Sequence, residues 1–178
     1  FGLENPKTSG DLIRENCDNG LLREILNAVL TNRIGGNFGM HQLSAVTAAV
    51  ALDTYPETGE MIEWLKKPGG GTGKKPVKKY GKSFNQYTKN PGGEMLSQYV
   101  NDVDRDGFGN EVGAGYNGSW VTNSVAVAEI LYRYGRHEGF SPYNDPKYRK
   151  MFSAIYNMTM AGNYTLQLGD DERTASTR

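Results

Sequence analysis

Apolar residues recur three and four positions apart between Leu12 and Leu30: Leu12, Ile13, Leu21, Leu22, Ile25, Leu26, Val29 and Leu30. That spacing predicts an amphipathic helix starting near Asp11, with Ser9 placed to cap it. Gly20 weakens its middle and allows two shorter helices. Arg33–Phe38 (RIGGNF) reads as a turn. The run Met40–Leu52 (MHQLSAVTAAVAL) is apolar on most faces, as in a helix buried on nearly all sides. Shorter helices are predicted at Thr58–Leu65 and Glu94–Val100. Val121–Tyr134 (VTNSVAVAEILYRY) again reads as a mostly buried helix. Asp145-Pro146 supplies a cap and a first-turn proline for a helix over Tyr148–Ala161, with Gly162 to end it. Tyr164–Leu168 alternates like a strand, and Gly169-Asp170-Asp171 breaks it. The expected fold is all-α for most of the chain, a series of antiparallel helices joined by long loops.

Composition adds bounds. The chain has 178 residues, enough for one domain with a real core, and its 23 glycines and 7 prolines imply many turns. No run of 18 apolar residues is present, so no membrane-spanning helix is expected. The first residue is Phe1 and no signal-peptide pattern follows, which points to a processed protein or a piece of a longer one. The one cysteine, Cys17, falls in a helical pattern and reads as a small buried hydrophobe. Net charge is zero, yet seven lysines lie between Lys66 and Lys82 with no acidic residue among them, leaving −7 on the remainder. The segment PGGGTGKKPVKKYGK reads as a loop that is not rigid by itself. It is either a solvated insertion or an attractor for an anionic partner.

Two segments carry candidate chemistry. In GGNFGMHQ (35–42), Asn37 and His41 are four apart, so a helix starting there would put both on one face. Asn37 can donate an amide hydrogen bond, and His41 can donate, accept or carry a proton near neutral pH. Asn37 equally suits a helix cap, and His41 a core histidine. The other histidine, His137, reads as a surface loop residue. The second segment is NDVDRDGFGNEVGAGYNGSW (101–120). Asp102, Asp104, Asp106 and Gly107 match the first half of an EF-hand calcium loop. Gly113 stands where that loop needs a bidentate glutamate, and Glu111 comes two residues early. Aspartates closing turns are the simpler reading. Tyr116 can serve as a general acid, or as a base beside cations that lower its pKa. Packing on Trp120, four residues on, is the alternative. The sequons at Asn117, Asn157 and Asn163 are read as chance.

GNFGMHQ opening an alanine-rich helix, followed by DRDGFGNEVGAGYNGSW opening another, resembles the heparinase II/III-like polysaccharide lyases and the related alginate lyases. The late Gln167-Leu168-Gly169-Asp170 resembles the approach to the β-domain in such proteins. The resemblance spans roughly Gly35 to Asp170. It implies part of an (α/α) toroid over residues 1–162, with 163–178 as a linker or the first strand of a β-sandwich. It also implies β-elimination on an anionic uronic-acid polysaccharide of the alginate or heparin/heparan sulfate type, in a bacterial periplasmic or secreted setting.

The roles it implies are specific. Asn37 neutralises the uronate carboxylate as the C5 proton leaves. His41 shares that task or acts as base for one C5 configuration. Tyr116 gives a proton to the leaving oxygen, alone or after also taking the C5 proton as base on the same face. Glu111 orients the tyrosine loop, and Trp120, Lys74, Lys75, Lys78 and Lys79 contact substrate. No cofactor is expected in this chain, although the family often holds a metal in the β-domain. The implied partners are the polysaccharide and the remainder of a longer lyase chain, not nucleic acid or a membrane. The family commonly adds a further histidine or tyrosine from a later segment, and nothing after Tyr116 supplies one convincingly. The rival reading is a non-catalytic carbohydrate-binding helical domain of the same fold.

Overall fold

The computed structural model describes residues 9–34, 36–37, 39–69, 74–79, 82–87, 90–110, 113–137, 142–161 and 164–165. Within them the chain is mostly helical, with two antiparallel two-stranded pairs.

The first helical stretch is continuous. Helix α1 (Gly10–Cys17) passes through a π-helical turn (Asp18–Leu22) into α2 (Arg23–Leu30). Ser9 caps it by accepting the Leu12 N–H at 3.3 Å. Gly20 therefore widens the helix to a π turn rather than breaking it. The turn changes which face is buried: α1 has no buried residue, whereas Leu26 and Val29 of α2 are in the core. Cys17 is exposed for the same reason, against the expectation of burial.

Helix α3 (Met40–Leu52) is the centre of the core, as its all-round apolar pattern predicts. Ala45, Val46, Ala48, Ala49 and Leu52 are each no more than 2% exposed. Small alanines let three neighbours approach closely. Helix α2 packs on one side. Helix α4 (Glu57–Lys66) packs on the next, where Thr58 Oγ1 donates to the Ala49 carbonyl at 2.9 Å. Helix α6 (Ala114–Tyr134) packs on the third. The exposed stripe is Met40, Ser44, Thr47 and Ala51.

Helices α3 and α6 run parallel, not antiparallel. At one end Gly39 lies against Asn123, so closely that a Cβ on Gly39 would come 2.5 Å from the Asn123 Cβ. At the other, Asp53 accepts from Tyr134 Oη and, at 2.8 Å, from Arg136 Nη1. The connection between the two helices is long enough to return the chain to its starting end. Along that return, Asn90 donates to the Leu30 carbonyl at 2.7 Å and Gly93 to the Trp64 carbonyl at 2.8 Å. Buried Gln42 donates to the Gly93 carbonyl at 3.1 Å. This segment thereby joins the last turns of α2 and α4 to the first turn of α3.

The lysine segment differs from its expected loop character. Lys74–Lys79 (β1) and Lys82–Tyr87 (β2) form an antiparallel ladder, with Lys74 opposite Tyr87 and Lys79 opposite Lys82. Val77 and Phe84 sit opposite one another in it. Propensity does not explain β1, which holds Pro76 and a single β-favouring residue, Val77; pairing with β2 does.

The later elements follow the expected order with moved boundaries. Helix α5 spans Met95–Asn101. A 3-10 turn (Pro142–Asn144) leads to α7 (Pro146–Ala154), capped by Asp145, which accepts the Lys147 and Tyr148 N–H groups at 2.7 and 3.2 Å. The predicted helix to Ala161 stops seven residues short. A 3-10 turn (Ile155–Met158) takes over, and Thr159–Met160 (β3) pairs with Tyr164–Thr165 (β4). The polar Ser153, Asn157 and Thr159 interrupt the apolar stripe that would have carried the helix on. Gly162 and residues 166–178, including the expected start of a β-domain, lie outside the described residues.

Candidate functional site

Residues 102–110 close on themselves as a turn. Val103 and Gly109 form an antiparallel bridge, the Asp104 N–H donates to the Phe108 carbonyl at 2.8 Å, and the Asn110 N–H donates to the Asp102 carbonyl at 2.9 Å. Asp106 Oδ1 accepts the Phe108 N–H at 3.1 Å, and Asp102 Oδ1 accepts from Asn110 Nδ2 at 3.4 Å. These carboxylates are occupied in closing turns. Among the described residues no group of three or more His, Cys, Asp or Glu side chains gathers to hold a metal ion.

The turn is docked between α6 and α7. Lys147 Nζ donates to the Val103 carbonyl at 2.7 Å and Lys150 Nζ to the Arg105 carbonyl at 2.8 Å. Gly107, at φ +92°, lies where a Cβ would meet the Lys150 carbonyl carbon at 2.4 Å, so this position requires glycine.

Tyr116 is not on the loop. Helix α6 starts seven residues earlier than its apolar pattern predicts, so Tyr116 is its third residue. The signal that hides this is the glycine content of Gly113, Gly115 and Gly118, which lowers helix propensity until the docked turn holds the first turn in place. Tyr116 is half-buried. Its hydroxyl has no hydrogen-bond partner among the described residues. At roughly 100° per residue, Tyr116 shares a stripe with Trp120, Asn123 and Val127. Asn123 is the residue against Gly39, so Tyr116 stands two turns, about 10 Å, beyond that contact on the side turned to α3. Trp120, expected to touch substrate, is 3% exposed and belongs to the core. Its ring is held against Gly109, where a Cβ would meet it at 2.9 Å. Glu111 lies outside the described residues.

Asn37 is half-buried in the turn before α3, and its carbonyl accepts the Met40 N–H at 3.1 Å. Its side-chain amide has no partner among the described residues. It is not on the helix, because Gly39 at φ +85° separates it from Met40. The shared helical face expected for Asn37 and His41 therefore does not form. His41 lies two residues past Gly39, roughly 200° around α3. It shares its stripe with buried Ala45, Ala48 and Leu52. Its Nδ1 is buried without a hydrogen-bond partner, and burial lowers its pKa. The structure thus sets Asn37 and Tyr116 at one end of the parallel α3/α6 pair, with His41 buried beside Ala45.

Between these helices a shallow groove of about 370 Å³ is lined by Met40, Gly115, Gly118, Ser119, Thr122 and Asn123. A cleft of about 470 Å³ on the far side lies between α2 and α4 and includes Trp64, Glu60 and Lys67. Asn37, His41 and Tyr116 line neither. Of Lys74, Lys75, Lys78 and Lys79 the structure gives the backbone ladder alone.

His137 is not a surface residue. Its side chain is 12% exposed, and Nε2 stands 2.8 Å from Glu63 Oε1, at ion-pair distance but off the N–H axis of a hydrogen bond. Lys66 Nζ reaches the same oxygen at 2.6 Å. Asp53, Tyr134 and Arg136 tie α3 to α6 at the end opposite Tyr116, and the His137–Glu63 contact ties the segment after α6 to α4. The hydroxyl of Tyr134 is pushed well above its usual range, by burial first and then by its bond to Asp53. Three sequons were visible in the sequence: Asn117 is 4% exposed and engaged with backbone, Asn157 is exposed, and Asn163 lies outside the described residues.

Comparison with family models, with curated proteins and with solved structures returns no match for this chain.

Proposed function

We propose that this chain is the helical part of a polysaccharide lyase that cleaves uronic-acid polysaccharides by β-elimination. The observation that carries the reading is the placement of Tyr116. It is a partly exposed phenol with a free hydroxyl, in the first turn of α6, on the stripe turned to the Asn37 end of α3. Parallel packing of α3 and α6 supports it too, since the inner helices of an (α/α) toroid run in one direction.

The chemistry assigns each group a task. The C5 proton passes to the Tyr116 oxygen, acting as base on the same face as O4, and the electron pair left on C5 delocalises into the adjacent carboxylate. The amide of Asn37 donates to that carboxylate and offsets the extra charge. The electron pair then forms the C4–C5 double bond as the C4–O4 bond breaks. Tyr116 donates its phenolic proton to O4, and the products are a shortened chain and an unsaturated uronate. His41, whose burial favours its neutral form, is given no contact with substrate in this scheme. The strand bearing Lys74, Lys75, Lys78 and Lys79 attracts the polyanion.

The test is an elimination assay on alginate and on heparan sulfate, following ultraviolet absorbance of the unsaturated uronate. Tyr116→Phe is expected to lower kcat by about 10²–10⁴-fold, the usual worth of a positioned general acid. Full activity in Tyr116→Phe removes the role assigned to Tyr116. Binding of both polymers with no elimination favours the non-catalytic carbohydrate-binding domain.

A further inference from the structure

We infer that Asn117 is the positioning residue for Tyr116: its buried side chain clamps the docked Asp-Gly turn to the first turn of α6 and so fixes where the Tyr116 hydroxyl stands. The inference rests on the proposed lyase reading for its catalytic consequence, while its structural part stands on the contacts themselves.

Asn117 is 4% exposed, in the first turn and a half of α6. Both ends of its amide are used. Oδ1 accepts the Gly109 N–H at 2.6 Å, and Nδ2 donates to the Gly113 carbonyl at 2.9 Å. The first bond reaches across to the far arm of the Asp102–Asn110 turn. The second holds the residue that caps α6, which has no side chain of its own to cap with. Gly109 sits flat on this amide and on the Trp120 ring, where a Cβ would stand 2.7 Å from Asn117 Oδ1 and 2.9 Å from the indole. Tyr116 is covalently next to Asn117, and Trp120 is next on its stripe. Its hydroxyl has no hydrogen bond among the described residues to hold it. Its position is therefore set by the helix turn beneath it, and that turn is set by Asn117.

A buried amide bonded to backbone at both ends is costly to leave half-satisfied. A side chain that only filled space would tolerate a carboxylate or an apolar isostere. A clamp needs one acceptor and one donor, which asparagine supplies and aspartate and leucine do not.

The experiment compares Asn117→Ala, Asn117→Asp and Gly109→Ala with the parent chain. The chain carries 13C-labelled tyrosine rings, with the Tyr116 signal assigned by its absence in Tyr116→Phe. Expected is a broadened or split Tyr116 ring signal in all three variants, with buried Tyr148 unchanged. An unchanged Tyr116 signal in folded Asn117→Ala overturns the inference, whatever the elimination assay gives. Gly109→Ala keeps the asparagine and tests the same clamp if Asn117→Ala does not fold.

In the elimination assay, kcat is expected to fall at least tenfold in Asn117→Ala with KM within a factor of about two. The same substitution made on Tyr116→Phe is expected to cost nothing further. A loss of equal size in both backgrounds assigns Asn117 a purely structural role and overturns the inference. Perturbed ring signals in a chain whose parent shows no elimination retain the clamp and reject the lyase reading instead.

Discussion

At the scale of single residues, the two histidines exchange the parts that sequence alone suggests for them. His41 sits in a glycine-flanked turn motif, yet the helix carries its ring onto the stripe of Ala45, Ala48 and Leu52. Burial favours its neutral form, so the folded chain binds fewer protons there than the unfolded chain does. This contribution to stability is complete above the unfolded histidine pKa of about 6.5 and is lost as pH falls through that value toward the lower folded one. His41→Gln is therefore expected to flatten the loss of thermal stability on acidification below about pH 6.5, seen as a smaller drop in Tm than in the parent chain. An unchanged pH dependence would place the ring in water. His137, in a loop after Gly135-Arg136, is instead held inside by Glu63. No spacing rule reveals that, because Glu63 is on α4 and meets it through the fold alone.

Elements were easiest to read where one local signal dominated. Asp145 followed by Pro146 starts α7 as the capping rules require, with one carboxylate oxygen accepting two backbone N–H groups. Asp145→Ala is expected to cost about 1 kcal/mol, and Asp145→Asn much less, measured as a shift of the urea midpoint. The run Met40–Leu52 likewise forms helix α3 over its full predicted length. Boundaries failed where a distant contact outweighed propensity. The first turn of α6 contains Gly115 and Gly118, and it is helical because the Asp102–Asn110 turn is bonded to Asn117. The lysine segment is a strand pair because β2 lies beside β1, a pairing that neither half shows alone. Gly20, which allows either one helix or two shorter ones, lies in a π turn, since α2 is anchored on α3 and α1 continues from it.

At the scale of the whole molecule, direction is the main result. Parallel α3 and α6 bring Asn37 and Tyr116 to one end and the Asp53, Tyr134 and Arg136 cluster to the other. If the lysine strand draws a polyanion to the first end, Lys74, Lys75, Lys78 and Lys79 changed together to Gln should lower kcat/KM several-fold at low salt. The difference should shrink as ionic strength rises and the screening length falls to about 10 Å at 0.1 M. Equal kcat/KM for parent and variant at low salt would detach the hairpin from substrate capture.

By itself the sequence determined where most of the helices lie, that Met40–Leu52 is buried on nearly all sides, and which few polar residues are chemically able to act. Those properties follow from periodicity, capping and side-chain type, which act over a few residues. The tertiary structure alone decided that α3 and α6 run parallel, that Asn37 and His41 share no helical face, that Trp120 is core, and that Asn117 holds the start of α6. Each of these depends on contacts between residues distant in the chain, and a change of one residue in a helix start turns every following side chain by roughly 100°.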